Sequence, residues 1–222
     1  MPKLIHLRSK ITKEFRFLAR GSENAQLYLD VMNSAPVEFG SQIGCQLPPN
    51  MQLVRFERLS AAADVGEQIF ELALVDHYAK MVVYYNKVIV LLHDPVLGAK
   101  PVTQLLVWRT PDPAYKSVIS GVADRVFTDY LLEHYQIIMS DSQQTGQGQF
   151  FWERQILVAL GRQLYVYYYH LMNAKLQHIA DRETFEQLQD VIWGDTDDHV
   201  QHLAIISKSP LPSGITVEIV EE

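Results

Sequence analysis

Cysteine is almost missing from this chain: Cys45 is the only one in 222 residues. An internal disulfide is therefore excluded, and a reducing, cytoplasmic setting is expected. Cys45 sits in a Gly/Gln stretch, GSQIGCQLPP. A nucleophilic thiol needs a nearby base or a positive field, so a structural role is expected for it. Long apolar runs are missing too. No stretch of about 18 apolar residues occurs, so no membrane-spanning helix is expected. The N-terminal MPKLIHLRSK lacks the apolar core of a secretory signal. There is no Gly-x-Ser-x-Gly elbow, no Walker phosphate loop and no dinucleotide glycine fingerprint. A Ser-His-Asp triad has no support, and no internal repeat or low-complexity tract is present.

What is present suits a globular fold. Hydrophobic residues make up 48% and charged residues 20%, enough to bury a core in one large domain or two small ones. The net charge of −7 is unevenly spread. Lys3, Arg8, Lys10, Lys13, Arg16 and Arg20 face only Glu14 within the first twenty residues, whereas residues 181–222 are acidic apart from Arg182 and Lys208. A basic arm can touch phosphates. It lacks the aromatic interleaving used to stack bases, so nucleic acid is the disfavoured partner and a solvated face the favoured reading.

Residues 102–172 organise the chain. They read as strand (VTQLLVW), long helix (DPAYKSVISGVADRVFTDYLLEHY), strand (QIIMSD), helix (FFWERQILVALG) and strand (QLYVYYYHLM). Asp112 is a good N-cap, and Pro113 suits the first helical position, where no N–H is needed. Ile119, Val122, Ala123, Val126, Phe127, Tyr130 and Leu131 recur at helical spacing and form one apolar face. Gly121 costs about 1 kcal/mol inside a helix, which suggests a close approach there. QIIMSD should run parallel to VTQLLVW after the usual crossover. SQQTGQGQ reads as a loop, and Gly161 as a helix stop. Residues 163–171 favour strand, although Tyr165, Tyr168, Tyr169, Met172, Leu176 and Ile179 also fit a helix.

Upstream, ITKEFRFLA (11–19) alternates like a strand, with a helical alternative. Ser22 looks like the cap of a helix that Asn33-Ser34-Ala35-Pro36 ends. Residues 36–50 read as loop. MQLVRFERL, QIFELALVDHY, AKMVVYY and VIVLLHD form an antiparallel meander, with a tight turn placed at Asn86-Lys87. Downstream, RETFEQLQDVIW is a helix with Phe185, Leu188 and Ile192 inward, and HVQHLAIIS and ITVEIV are late strands. The expected fold class is α/β: a single mixed, mostly antiparallel sheet with helices on both faces. One domain covers residues 1–180, and a helix-and-strand extension over 181–222 packs on it.

A meander feeding strand–helix–strand–helix–strand resembles the GNAT (GCN5-related N-acetyltransferase) fold over about residues 11–180. VVYYNKVIVLLHD is similar to that family's central hairpin, VTQLLVW to the strand before its acetyl-CoA loop, and FFWERQILVALGRQLYVYY to its penultimate helix and following strand. The resemblance implies acetyl-CoA as cofactor, an amine as substrate and N-acyl transfer as reaction. It places the cofactor against Val107 and Arg109 at the strand end and Ser120 and Gly121 on the helix. It also implies a carboxylate base, for which Glu71 and Asp141 are the candidates beside Asp76 and His77, and a tyrosine acid, Tyr165. The family's Gly-rich pyrophosphate turn is replaced here by WRTPDPAYKSVISG. Pro111 and Pro113 supply no N–H, and Asp112 puts a carboxylate where phosphates would sit. Arg109 and Lys116 are the nearest compensating charges. The alternative reading is a non-catalytic GNAT-like protein that binds a protein partner or nucleic acid.

DTDDHVQH (195–202) groups candidate metal ligands. Asp195, Asp197, Asp198, His199 and His202 are suitable ligand types. Yet His199 and His202 are three apart, and on a strand that offset sends them to opposite faces, so no metal is assigned. The tyrosines 84, 85, 165 and 167–169 suit core packing at least as well as a pocket for a planar ligand.

Overall fold

The computed structural model describes residues 15–16, 18–57, 67–91, 101–139, 146–170, 175–193 and 202–211. These divide into two compact units. One holds the described residues up to 90 together with 105–133; the other holds 91–104 and those from 134 onward. The mixed α/β character stands, with antiparallel strands covered by helices.

In the first unit, helix α1 (Gly21–Asn33) buries Asn24, Leu27 and Val31. The expected cap at Ser22 is corrected. Arg20 holds the cap position with extended backbone and makes no side-chain capping bond. Tertiary contact replaces the cap. The Asn24 amide donates to the Leu18 and Val82 carbonyls at 2.9 and 3.0 Å and accepts from the Val82 N–H at 2.7 Å. The predicted helix end holds: the Ser34 N–H bonds back to Asp30 and Val31, and Ala35 follows with φ +52°.

Strand β1 (Val37–Glu38) lies inside the stretch read as loop. It pairs antiparallel with β2 (Met51–Phe56), which pairs antiparallel with β3 (Glu67–Asp76) from Met51↔Asp76 to Phe56↔Glu71. Strand β4 (Met81–Leu91) runs straight through Asn86, which is 1% exposed. The turn expected at Asn86-Lys87 is therefore corrected to residues 77–80. The Asp76 carboxylate closes it by accepting from the Tyr78 and Ala79 N–H groups at 2.8 and 3.1 Å, and Lys80 takes the left-handed backbone at φ +51°. Asn was the residue type best suited to that backbone, but an acceptor at the turn's first position decided the matter.

Strand β5 is Val102–Arg109. After it, Asp112 accepts the Ala114 N–H at 2.9 Å and Pro113 opens a single 3-10 turn, Pro113–Tyr115. Helix α2 (Lys116–Arg125) continues into a π-helical turn at Val126–Leu131. The wider π turn brings the neighbours Val126 and Phe127, and then Tyr130 and Leu131, to one buried face. Gly121 is exposed, and a Cβ added there would meet nothing within 4 Å. The close approach expected at Gly121 is thus corrected. Strand alternation splits the packing. Leu27 and Val31 of α1 meet Val54, Phe56, Ala73 and Val75. Arg55 points to the other side, where it donates to the Tyr130 hydroxyl at 3.0 Å and stands 4.1 Å over the Phe70 ring.

In the second unit, the start of β5 pairs parallel with β6 (Gln136–Met139) through Val102↔Gln136 and Thr103↔Ile137, as the crossover predicted. Helix α3 (Gly146–Gly161) begins inside the stretch read as a loop. Gln149 supports its first turns by donating to Glu153 at 2.9 Å, an i,i+4 pair. Its end is as predicted, although the left-handed residue is Gln163 (φ +57°), not Gly161. Residues 165–170 form strand β7 (Tyr165–His170), and β8 (Lys175–Ile179) replaces the helical alternative for Leu176 and Ile179. Helix α4 (Arg182–Trp193) is capped by Asp181, which accepts from the Thr184 N–H and hydroxyl at 2.8 and 2.7 Å; these bonds hold its carboxyl below the usual value. Strand β9 (His202–Ser207) pairs antiparallel with both β6 and β7, and β8 borders β7. Helix α4 packs on β8, β9 and α3, so the expected extension from 181 joins this unit. The late strand ITVEIV and residues 11–14 lie outside the described residues. Among the described residues no helix is long and apolar enough to cross a membrane.

Candidate functional site

The chain leaves β5 through Trp108, Thr110, Pro111 and Asp112. Together with the 77–80 turn and the first turn of α1, these residues enclose a half-open hollow of about 450 Å³ in the first unit. That volume is within the range of small-molecule sites, roughly 300–1,000 Å³. Leu18, Ala25, Met81, Trp108 and Pro111 make its walls mostly apolar, while Lys80, Thr110 and Asp112 bring polar groups to it. The N–H groups opening α1 have no side-chain cap, so the positive end of that helix borders the hollow. Asn24, 2% exposed, fixes the wall through the three bonds given above.

Asp76 braces the neighbouring turn. Besides the two turn N–H groups it accepts from Asn50 Nδ2 and from the Tyr115 hydroxyl, both at 2.9 Å. Burial pushes its carboxyl up, but the bonds from Ala79, Asn50, Tyr115 and Tyr78 together outweigh burial and hold it below 3.8. Burial and the adjacent Asp76 carboxylate push the Tyr115 phenol up. The folded-state value of Asp76 is depressed, so its contribution to stability is full above the unfolded value. It fades as pH falls through the lower folded value. The expected result is that Asp76→Asn flattens the loss of stability between pH 5 and pH 3 in urea unfolding. An unchanged acid limb would contradict this account.

A second hollow of about 360 Å³ is lined by Cys45, Leu47, Ser117, Gly121 and Arg125, among others. Burial pushes the Cys45 thiol up more than the Arg125 charge pulls it down. Arg125 itself donates to the Ile43 carbonyl at 2.9 Å. The net shift is away from the thiolate that a nucleophilic cysteine needs.

The residues singled out in the sequence are dispersed. Val107 is half-buried on β5 and Arg109 exposed at its end. Ser120 is half-buried and Gly121 exposed on α2; Gly121 borders the Cys45 hollow, and none of the four lines the Trp108 hollow. Glu71 is 1% exposed in the middle of β3 and accepts from the Tyr85 hydroxyl at 2.6 Å. A base must reach its substrate's proton, and this carboxylate is enclosed. Tyr165 is half-buried on β7, in the other unit, with His178 6.3 Å away ring to ring. Asp141 lies outside the described residues, as do Asp195, Asp197, Asp198 and His199. No group of three or more metal-ligating side chains occurs among the described residues. Trp108, Met81 and Lys80 were missed as site residues. The only available signal was the tryptophan ending an apolar strand just before Arg-Thr-Pro. No protein-family model, no curated protein and no solved structure matches this chain.

Proposed function

We propose that this chain is a non-catalytic binding protein on a GNAT-like order of elements, with the Trp108 hollow as its binding surface. One observation carries the reading. The Asp112 carboxylate, between Pro111 and Pro113, caps its own turn by accepting the Ala114 N–H. That is where the resembled family's cofactor pyrophosphate would need free amides and positive charge. The enclosure of Glu71 supports the same conclusion. The hollow's apolar walls with one lysine and one aspartate at hand suit an apolar group of a partner, flanked by hydrogen-bonding groups.

Thermal unfolding with and without millimolar acetyl-CoA tests this. No shift is expected. Stabilisation following RT ln(1 + [L]/Kd), about 2.7 kcal/mol at a hundredfold excess over Kd, would restore the acyltransferase reading. That second reading is favoured by the parallel β5–β6 pairing across the long helix. The Asp112→Asn variant should change stability by less than about 1 kcal/mol. If charge repulsion alone excludes the cofactor, that variant gains the acetyl-CoA shift that the parent lacks. The nucleic-acid version predicts binding that weakens steeply with salt, and no binding at low salt removes it.

A further inference from the structure

The antiparallel register of β7 and β9 sets His170 directly opposite His202, and Tyr168 opposite Ala204. Side chains two apart on a strand share a face, as do directly paired ones. Tyr168, His170 and His202 therefore stand on one face of the second unit. The two imidazole rings lie 4.8 Å apart, centre to centre, at 76°. The Tyr168 hydroxyl is 2.8 Å from His202 Nδ1. Both histidines are half-buried. The sequence groups His202 only with its neighbours Asp195, Asp197, Asp198 and His199. The fold gives it a partner from a strand more than thirty residues earlier.

We propose that His170 and His202 form a two-imidazole site for a divalent transition metal of the zinc or copper type, with Tyr168 as a positioning residue. Three features argue for it. Imidazole nitrogen is a preferred ligand of these ions. Two imidazoles bound to one tetrahedral ion at about 2.0–2.1 Å hold their ring centres roughly 5 Å apart, close to the separation seen. The Tyr168 hydroxyl holds the His202 ring through Nδ1, as outer-shell partners orient metal-bound histidines. Among the described residues no further His, Cys, Asp or Glu completes a set of three. Lys175, paired with His170 from β8 and exposed, adds a positive charge nearby. That charge opposes a cation there, so binding weaker than at closed four-ligand zinc sites is expected.

The test is calorimetric titration of the full chain with zinc, and copper(II) titration read by electron paramagnetic resonance. One site is expected, with two nitrogen ligands in the copper spectrum. His170→Gln and His202→Gln keep the side-chain size and a hydrogen-bonding end, so the strands stay paired. Each should weaken zinc at least tenfold. Tyr168→Phe, which leaves both ligands in place, should weaken it about tenfold. His178→Ala, whose ring meets Tyr165 and Tyr167 instead, should leave it unchanged. Metal-free thermal melts of each variant separate lost binding from lost folding. The proposal is overturned if 100 µM zinc gives no heat and no shift in melting. It is also overturned if the Gln variants bind as the parent does, or if His178→Ala weakens binding as much as they do.

Discussion

Replacing Phe127 with alanine is expected to destabilise the first unit by about 3–5 kcal/mol, the usual cost of emptying a buried aromatic site. The position is unforgiving for a geometric reason. Phe127 is among the largest fully buried side chains and lies in the π-helical turn Val126–Leu131. That turn carries two neighbouring pairs of buried residues, so the cavity opens between groups already held in place by Val126 and Leu131. Rigid surroundings collapse poorly, and the cavity cost stays. Phe127→Leu keeps most of the volume and should lose about 1–2 kcal/mol. Urea unfolding of the two variants settles the point. Equal losses, or an alanine loss below about 1 kcal/mol, would mean that the turn relaxes and packing there is loose.

Asn24→Ala comes next, with an expected loss of about 2–4 kcal/mol. Three buried hydrogen bonds go at once, and the Val82 N–H, the Val82 carbonyl and the Leu18 carbonyl each lose a partner. Each bond contributes about 1 kcal/mol, and an orphaned buried group costs about 1–3 kcal/mol. Asn24→Asp should do no better. Its carboxylate keeps the Val82 N–H but sets negative charge against two carbonyl oxygens. Amide exchange gives a local readout: the Val82 amide should exchange faster in both variants than strands distant from it. Unchanged protection of Val82 would refute the clamp. Because Asn24 also walls the Trp108 hollow, the same variants should weaken any ligand found there.

Much of the architecture was legible before any coordinates. Apolar spacing located α1, α2, α3 and α4, alternation located β2, and apolar, β-branched or aromatic content located β3, β5, β7 and β9, while β4 was read as two strands. The Asp112-Pro113 start was readable because capping is local chemistry. Parallel pairing of β5 with β6 followed from the length of the crossover. The misses have physical causes as well. The meander turn was placed by residue preference at Asn86, yet Asp76 supplied the acceptor that closes residues 77–80. Ser22 matched a capping pattern, but Asn24 anchors that end through contact with β4, invisible in a local window. Glu71 looked like an accessible carboxylate because nothing in its own segment shows Tyr85 above it. Trp108, the main wall of the candidate hollow, carried no motif.

By itself, the sequence determined which segments coil, which extend, and that two strands joined by a long helix run the same way. Those outcomes depend on side-chain periods of 3.6 and 2 and on capping within a few residues, all written along the chain. Tertiary structure alone decided which side chains meet: Asn24 with Val82, Glu71 with Tyr85, and His170 with His202 beside Tyr168. Strand period assigns a residue to a face, but only pairing register between distant strands chooses its neighbour, and chemistry begins with neighbours.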